Sequence, residues 1–144
     1  MKTIAQILKD SKTIAVVGLS VRPERASHAV ARYLQHHGYQ IVPVNPVYAS
    51  QQILGEKVYA SLHEAADALA PSGRRIDVVD CFRKSEDILP IARDAIAIRA
   101  GCMWMQLGIV NQAAADLASA AGLDTVMDRC MKIELAGLLA AEVS

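Results

Sequence analysis

What most constrains this chain is an alternation. Short apolar runs rich in β-branched residues, each ending in glycine or polar residues, alternate with stretches of helical periodicity. The first run is Thr13-Ile14-Ala15-Val16-Val17-Gly18. It lacks the polar alternation of a half-exposed strand, so it reads as a strand buried on both faces. Further strands are expected over Tyr39–Val44 (ended by Pro43 and Pro46), Ile76–Phe82, Cys102–Leu107 and Thr125–Asp128. Between them come helices. The spacing Thr3-Ile4-Ala5-Gln6 is that of a capping box and opens a short helix ending before Ser11. A second helix runs from about Ser27 to His37, with Gly38 as its left-handed stop. Others cover Leu62–Leu69, Ser85–Ile98, Asn111–Ala121 and Lys132–Ala141. Pro90 fits only near the first turns of its helix, and Asn111 caps the one that Gly122 stops. Ile53-Leu54-Gly55 and Val58-Tyr59 form a connector with room for a short strand. Strand–helix alternation predicts a doubly wound parallel sheet of about five strands with helices on both faces. Residues 1–144 are read as one domain of it.

Composition narrows the classes of function. With 53% hydrophobic and 21% charged residues the chain has the make-up of a globular domain, not a disordered one. Fifteen basic residues balance fifteen acidic ones, which gives no global pull towards nucleic acid or an anionic membrane. No apolar run reaches the length of a membrane span, and Met1–Gln6 lacks the apolar segment of a signal peptide. A cytoplasmic protein is expected. Cys81, Cys102 and Cys130 make no C-x-x-C pair and none sits at metal spacing from a histidine, so they read as reduced, partly buried residues.

Doubly wound sheets bind ligands in the crevice at the carboxyl ends of their strands. That rule singles out Gly18-Leu19-Ser20, Asn45-Pro46, Cys81-Phe82-Arg83, Gln106-Leu107-Gly108 and Asp128-Arg129-Cys130. Gly18 closes a strand and opens a loop into a helix, and a helix N-terminus there presents free N–H groups suited to a phosphate. The loop adds the hydroxyls of Ser20 and Ser27 and the guanidiniums of Arg22 and Arg25. A polar surface turn with a glycine for tightness is the plainer alternative. The G-x-G-x-x-G fingerprint is absent. So is the acid that NAD enzymes carry at the end of the second strand, where this chain has Val44-Asn45-Pro46. A neutral strand end facing an arginine-rich loop suits a nucleotide with an additional ribose phosphate, NADP or coenzyme A.

Catalytic constellations are thin. The four histidines lie in helical stretches, and neither H-E-x-x-H nor G-x-S-x-G occurs. Asp77 and Asp80 flank the third expected strand as a turn partner and a packing residue. Trp104 reads as core that could extend to an apolar groove with Phe82. Cys130 follows Arg129 at a loop-to-helix junction that would stabilise a thiolate, and structural packing is the favoured role.

Taken together, the strand-end motifs resemble the small CoA-binding proteins of Rossmann-like fold. These are related to the nucleotide-binding domain of the succinyl-CoA synthetase α subunit. The resemblance runs from about Ile4 to Leu139. It rests on Val17-Gly18-Leu19-Ser20, on Ser20, Pro23, Arg25 and Ser27, on Pro43-Val44-Asn45-Pro46, and on Gly55-Glu56-Lys57-Val58-Tyr59. It continues through Asp77–Arg83, Trp104–Gly108 and Met127–Lys132. It implies that the Gly18–Ser20 turn and Arg25 hold the CoA phosphates. Asn45 and Pro46 would lie near the adenosine end, Cys81, Phe82 and Arg83 would line the groove beside it, and Trp104 and Gln106 would shape the opposite side. Cys81 departs from the aliphatic residue common in the family, and Arg22 is outside its signature. The ligase relatives carry their phosphorylated histidine in a second domain, so this chain is expected to be a CoA or acyl-CoA binding module without catalysis. A small NADP-binding oxidoreductase and an interaction subunit with a vestigial crevice are the rival readings. Either a homo-oligomer or a partner enzyme is compatible with it.

Overall fold

The computed structural model describes residues 1–143. The first helix, α1 (Ile4–Asp10), starts where its capping box predicts. Thr3 Oγ1 accepts from the Gln6 amide and Gln6 Oε1 accepts from the Thr3 amide. The remaining elements follow as β1 (Thr13–Val17), α2 (Ala26–His36), β2 (Gln40–Val44), β3 (Gln52–Ile53), β4 (Glu56–Lys57), α3 (Leu62–Leu69), β5 (Val78–Cys81), α4 (Ile88–Ala97), β6 (Cys102–Met105), α5 (Gln112–Ala120), β7 (Asp124–Val126) and α6 (Met131–Val143). No helix of the described residues is long and apolar enough to cross a membrane.

The main sheet is parallel throughout, in the order β2-β1-β5-β6-β7. The chain therefore moves outward on one side of β1 and then returns to its other side. The carboxyl ends of β1 and β5 diverge into loops on opposite sides, which is the topological switch point of a doubly wound sheet. Burial on both faces explains why β1 reads as apolar throughout. Ile14 and Val16 pack under α1, α2 and α6 with Val30, Leu34, Trp104 and Met131. Ala15 and Val17 pack under α3, α4 and α5 with Leu62, Ala92, Met103 and Met105. Each large apolar side chain removed from water contributes roughly 1.5–3 kcal/mol. On the second face small residues, Ala92, Ala95, Ala114, Ala115 and Ala118, let the helices approach the two methionines closely.

The structure corrects one expectation and sharpens two others. Pro43 does not end β2 but lies inside it, opposite Val16. β2 is an edge strand, and its even-numbered residues bond β1, as the Gln40 amide to Lys12 O and the Gly18 amide to Val44 O show. The missing N–H of Pro43 thus faces outward, where its carbonyl accepts from the Tyr59 amide and no donor is needed. The connector after β2 is a small hairpin of β3 and β4, turned through Leu54 and Gly55, both at positive φ. The stretch from Ser85 opens as a 3-10 turn, Ser85–Asp87, and becomes α-helical only at Ile88. Pro90 therefore falls in the first turn, where it costs no hydrogen bond.

Candidate functional site

At the switch point, Gly18 lies between two backbones. Its amide continues the ladder to Val44 O, while the Phe82 amide donates to Val17 O on the other side. Gly18 has φ +91°, and a Cβ there would collide with the carbonyl oxygen of Phe82. Only glycine lets β1 turn this close to β5. The turn then delivers the chain to the start of α2 through a loop braced by its own side chains. Ser27 Oγ accepts from the Ser20 amide at 3.0 Å, and Ser20 Oγ accepts from the Arg22 amide at 3.1 Å. The His28 ring nitrogen Nδ1 lies 2.9 Å from the Ser20 carbonyl, so His28 holds the loop's backbone rather than its hydroxyl.

The N-cap of α2 is Arg25, which makes no side-chain capping bond. Helices begin with unsatisfied N–H groups and a positive dipole end, normally answered by a Ser, Thr, Asn or Asp oxygen. Here they open into a cleft of about 430 Å³ lined by Gly18, Ser20, Arg22, Arg25, Ser27 and Phe82, among others. Arg22 and Arg25 are exposed, whereas Ser27 is buried. The polar lining of this cleft favours a bound anion: amides, hydroxyls, guanidiniums and a helix N-terminus border one space.

Beside it lies a more apolar groove of about 460 Å³, walled by Val17, Val44, Pro46, Val47, Leu62 and Ile91, with Arg83 at its mouth. Asn45 stands between the two, and its side chain is committed to the fold. Asn45 Nδ2 donates to Leu19 O at 3.0 Å, and Asn45 Oδ1 accepts from the Val47 amide at 3.0 Å. It is 5% exposed. Arg83 Nη2 reaches Asn45 Oδ1 at 3.4 Å.

The sequence placed Cys81 and Trp104 against the ligand, and the structure withdraws both. Cys81 is fully buried and packs under α3 to α5. Trp104 is fully buried on the other face, where its indole Nε1 donates to Arg129 O at 2.7 Å. Gln106 is also buried, and its Oε1 accepts from the Met131 amide, satisfying the start of α6. These two residues thus fix the loop that leads into α6. Burial raises the Cys81 thiol well above its ordinary range, with the neighbouring Asp80 and Cys102 adding to the shift. Asp77 is a strand-start partner, its Oδ2 accepting from the Lys12 and Thr13 amides.

Sequence reasoning undervalued Asp80. Its carboxyl is fully buried, neither oxygen has a hydrogen-bond partner, and burial holds its pKa well above the usual carboxylate range. Strand alternation puts it on the face of Val78 and Phe82, one residue pair below the cleft. A polar residue in the middle of an otherwise apolar buried strand was the signal that could have marked it.

A separate cleft of about 380 Å³ lies at the opposite, amino-terminal edge of the sheet, among Lys2, Asp10, Arg75, Asp77, Arg99 and Asp124. Its charges neutralise one another, as in Lys2–Asp10 at 3.1 Å and Arg75–Asp77 at 3.6 Å. Helix C-termini rather than N-termini point to it, so it is not an anion site. Among the described residues no group of His, Cys, Asp and Glu could hold a metal ion.

The chain is similar in sequence and in fold to known proteins. The chain is 40% identical over 130 residues to the uncharacterized protein YneT of Bacillus subtilis, covering 90% of each. A hypothetical protein from Pyrococcus horikoshii has the same fold at a TM-score of 0.83 and 38% identity, over 94% of this chain and 89% of that one. A Thermus thermophilus protein matches at 0.81 and 33% identity, over 92% and 93%. The family model of the CoA binding domain matches residues 12–136, from the residue before β1 into α6, and the chain belongs to that Rossmann-like CoA-binding family.

Proposed function

We propose that the protein is a non-catalytic coenzyme A or acyl-CoA binding module that holds its ligand in the crevice at the carboxyl ends of β1, β2 and β5. The observation that carries this reading is the unanswered N-terminus of α2. It faces a cleft furnished with Arg22, Arg25 and Ser20, directly above the Gly18 turn. The pyrophosphate sits there, on the amides that open α2 and between the guanidiniums. The apolar groove beside it, with Val44, Pro46 and Ile91, takes the adenine ring. Phe82, half-buried at the end of β5, separates the phosphate cleft from the core beneath. Family membership supports the choice of coenzyme A over other nucleotides. The bonding of His28 to the Ser20 carbonyl, leaving that hydroxyl without a base, supports binding over catalysis.

Thermal melting with added nucleotides tests the reading. A ligand at ~100 times its dissociation constant adds about 2.7 kcal/mol, or a rise of roughly 5–10 °C for a chain of this size. CoA is expected to produce that rise, and NAD none. A rise with NAD and none with CoA would overturn the proposal.

A further inference from the structure

The end of β2 is where a doubly wound sheet meets the ribose of its nucleotide, and NAD enzymes place an acid there to accept from the ribose hydroxyls. This chain has Asn45, and both ends of its amide are already occupied within the fold. The group that stands at this point with donors to spare is the Arg83 guanidinium. Its Nη2 lies 3.4 Å from Asn45 Oδ1, and its Nε lies 3.4 Å from the position of a Cβ on Gly18. It therefore spans the step between the phosphate turn and the apolar groove, the space that a ribose joining pyrophosphate to base has to cross. The side chain is half-buried. Its one hydrogen bond is long, and among the described residues no carboxylate pairs with it; Asp94, in the same groove, is engaged by His63 at 3.2 Å. A guanidinium carries five N–H donors in a planar fork that fits a phosphate with paired bonds.

We propose that Arg83 is the residue that recognises the phosphate monoester on the ribose of the bound nucleotide. Arg22 and Arg25 serve the pyrophosphate. The inference rests on the reading of the crevice as a nucleotide site. The recognised chemistry is shared by the 3′-phosphate of CoA and the 2′-phosphate of NADP, and the ligand pairs below separate the two.

Titration calorimetry of the wild type, Arg83→Ala and Arg83→Lys against CoA, dephospho-CoA, NADP and NAD provides the test. The wild type is expected to bind CoA at least about tenfold more tightly than dephospho-CoA, the factor that corresponds to ~1.4 kcal/mol. Arg83→Ala should remove that advantage, lowering CoA affinity by about tenfold or more while dephospho-CoA changes by less than about twofold. Retained dephospho-CoA binding also shows that the variant is folded. Arg83→Lys, which keeps the charge and loses the fork, should fall between the two. Equal losses for both ligands would mean that Arg83 merely braces Asn45, and the proposal would fall. It would fall equally if the wild type bound CoA and dephospho-CoA alike, although the CoA reading would then stand. If NADP were preferred over NAD through Arg83 while CoA did not bind, the role of Arg83 would stand and the CoA reading would fall. Binding of none of the four would overturn both.

Discussion

Replacing Gly18 by alanine is the sharpest single perturbation of this fold. Two separate costs are expected. The first is conformational: at φ +91° an L side chain is strained, which costs of order 1–3 kcal/mol. The second is steric. The new methyl collides with the carbonyl oxygen of Phe82, and that oxygen belongs to backbone held by the Phe82 amide's bond to Val17 O. Relief requires β1 and β5 to separate at the switch point, an overpacking cost of about another 1–3 kcal/mol. The sum, ~2–6 kcal/mol, is a large part of the 5–15 kcal/mol that a typical domain has. Gly38→Ala supplies the control, because Gly38 has φ +95° and nothing within 4 Å of its Cβ position. It carries the conformational cost alone. Urea unfolding of the two variants should therefore show Gly18→Ala the less stable by roughly 1–3 kcal/mol. Equal losses at the two glycines would refute the claim that backbone crowding, rather than turn geometry, requires Gly18.

The buried carboxyl of Asp80 has a signed consequence. Because its pKa in the fold is raised by burial above the ordinary 3.8, the fold favours the protonated form. Its contribution is therefore most favourable below that ordinary value and declines as pH rises from there towards the folded value. The buried residues of the helices on that face carry no charge: Ile7 and Leu8 of α1, Ser27, Val30, Ala31 and Leu34 of α2, and Met131 and Leu135 of α6. Asp80→Asn should flatten the fall in unfolding free energy between acid and alkaline pH; an unchanged slope would count against a protonated Asp80. Native thiol titration should modify Cys130, which is half-buried, and spare the buried Cys81 and Cys102, whose thiols burial pushes up. Rapid modification of all three thiols would contradict this packing.

Local devices were legible in the sequence because local bonding makes them. The Thr3–Gln6 capping box, the Asn111 cap on the Ala114 amide and the left-handed stops at Gly38 and Gly122 all stand where their residue types require. The alternation of strand and helix conveyed the parallel sheet because parallel neighbours need a crossover connection, here a helix. Strand order and edge status depend on distant pairing, and Pro43 is the clearest case: it reads as a terminator unless its N–H position is known to face the outer side of β2, where only its carbonyl is used, by Tyr59. The candidate site was legible in outline and misplaced in detail. Residues near the carboxyl end of an expected strand read as facing the ligand, yet in a strand covered on both faces a side chain can be fully buried up to the last rung of the ladder. Cys81 is still paired with Val17 and Met105, and Trp104 with Asp80 and Val126, so both are core. Phe82 and Arg83 follow the last paired residue and emerge into the crevice. The engagement of Asn45 with Leu19 O links residues far apart in sequence and left no local trace.

The central claim is that coenzyme A binds at the carboxyl edge of the sheet, over the Gly18 turn and the start of α2. Titration of the isotopically labelled protein with CoA, followed by amide NMR, tests both the ligand and the place. The account predicts saturable shifts concentrated at Gly18, Ser20, Arg25, Ala26, Ser27, Phe82 and Arg83, with Gly101, Gly122 and Asp124 at the opposite edge unmoved. Shifts gathered around Gly101, Gly122 and Asp124, or a spectrum unchanged by CoA, would contradict it.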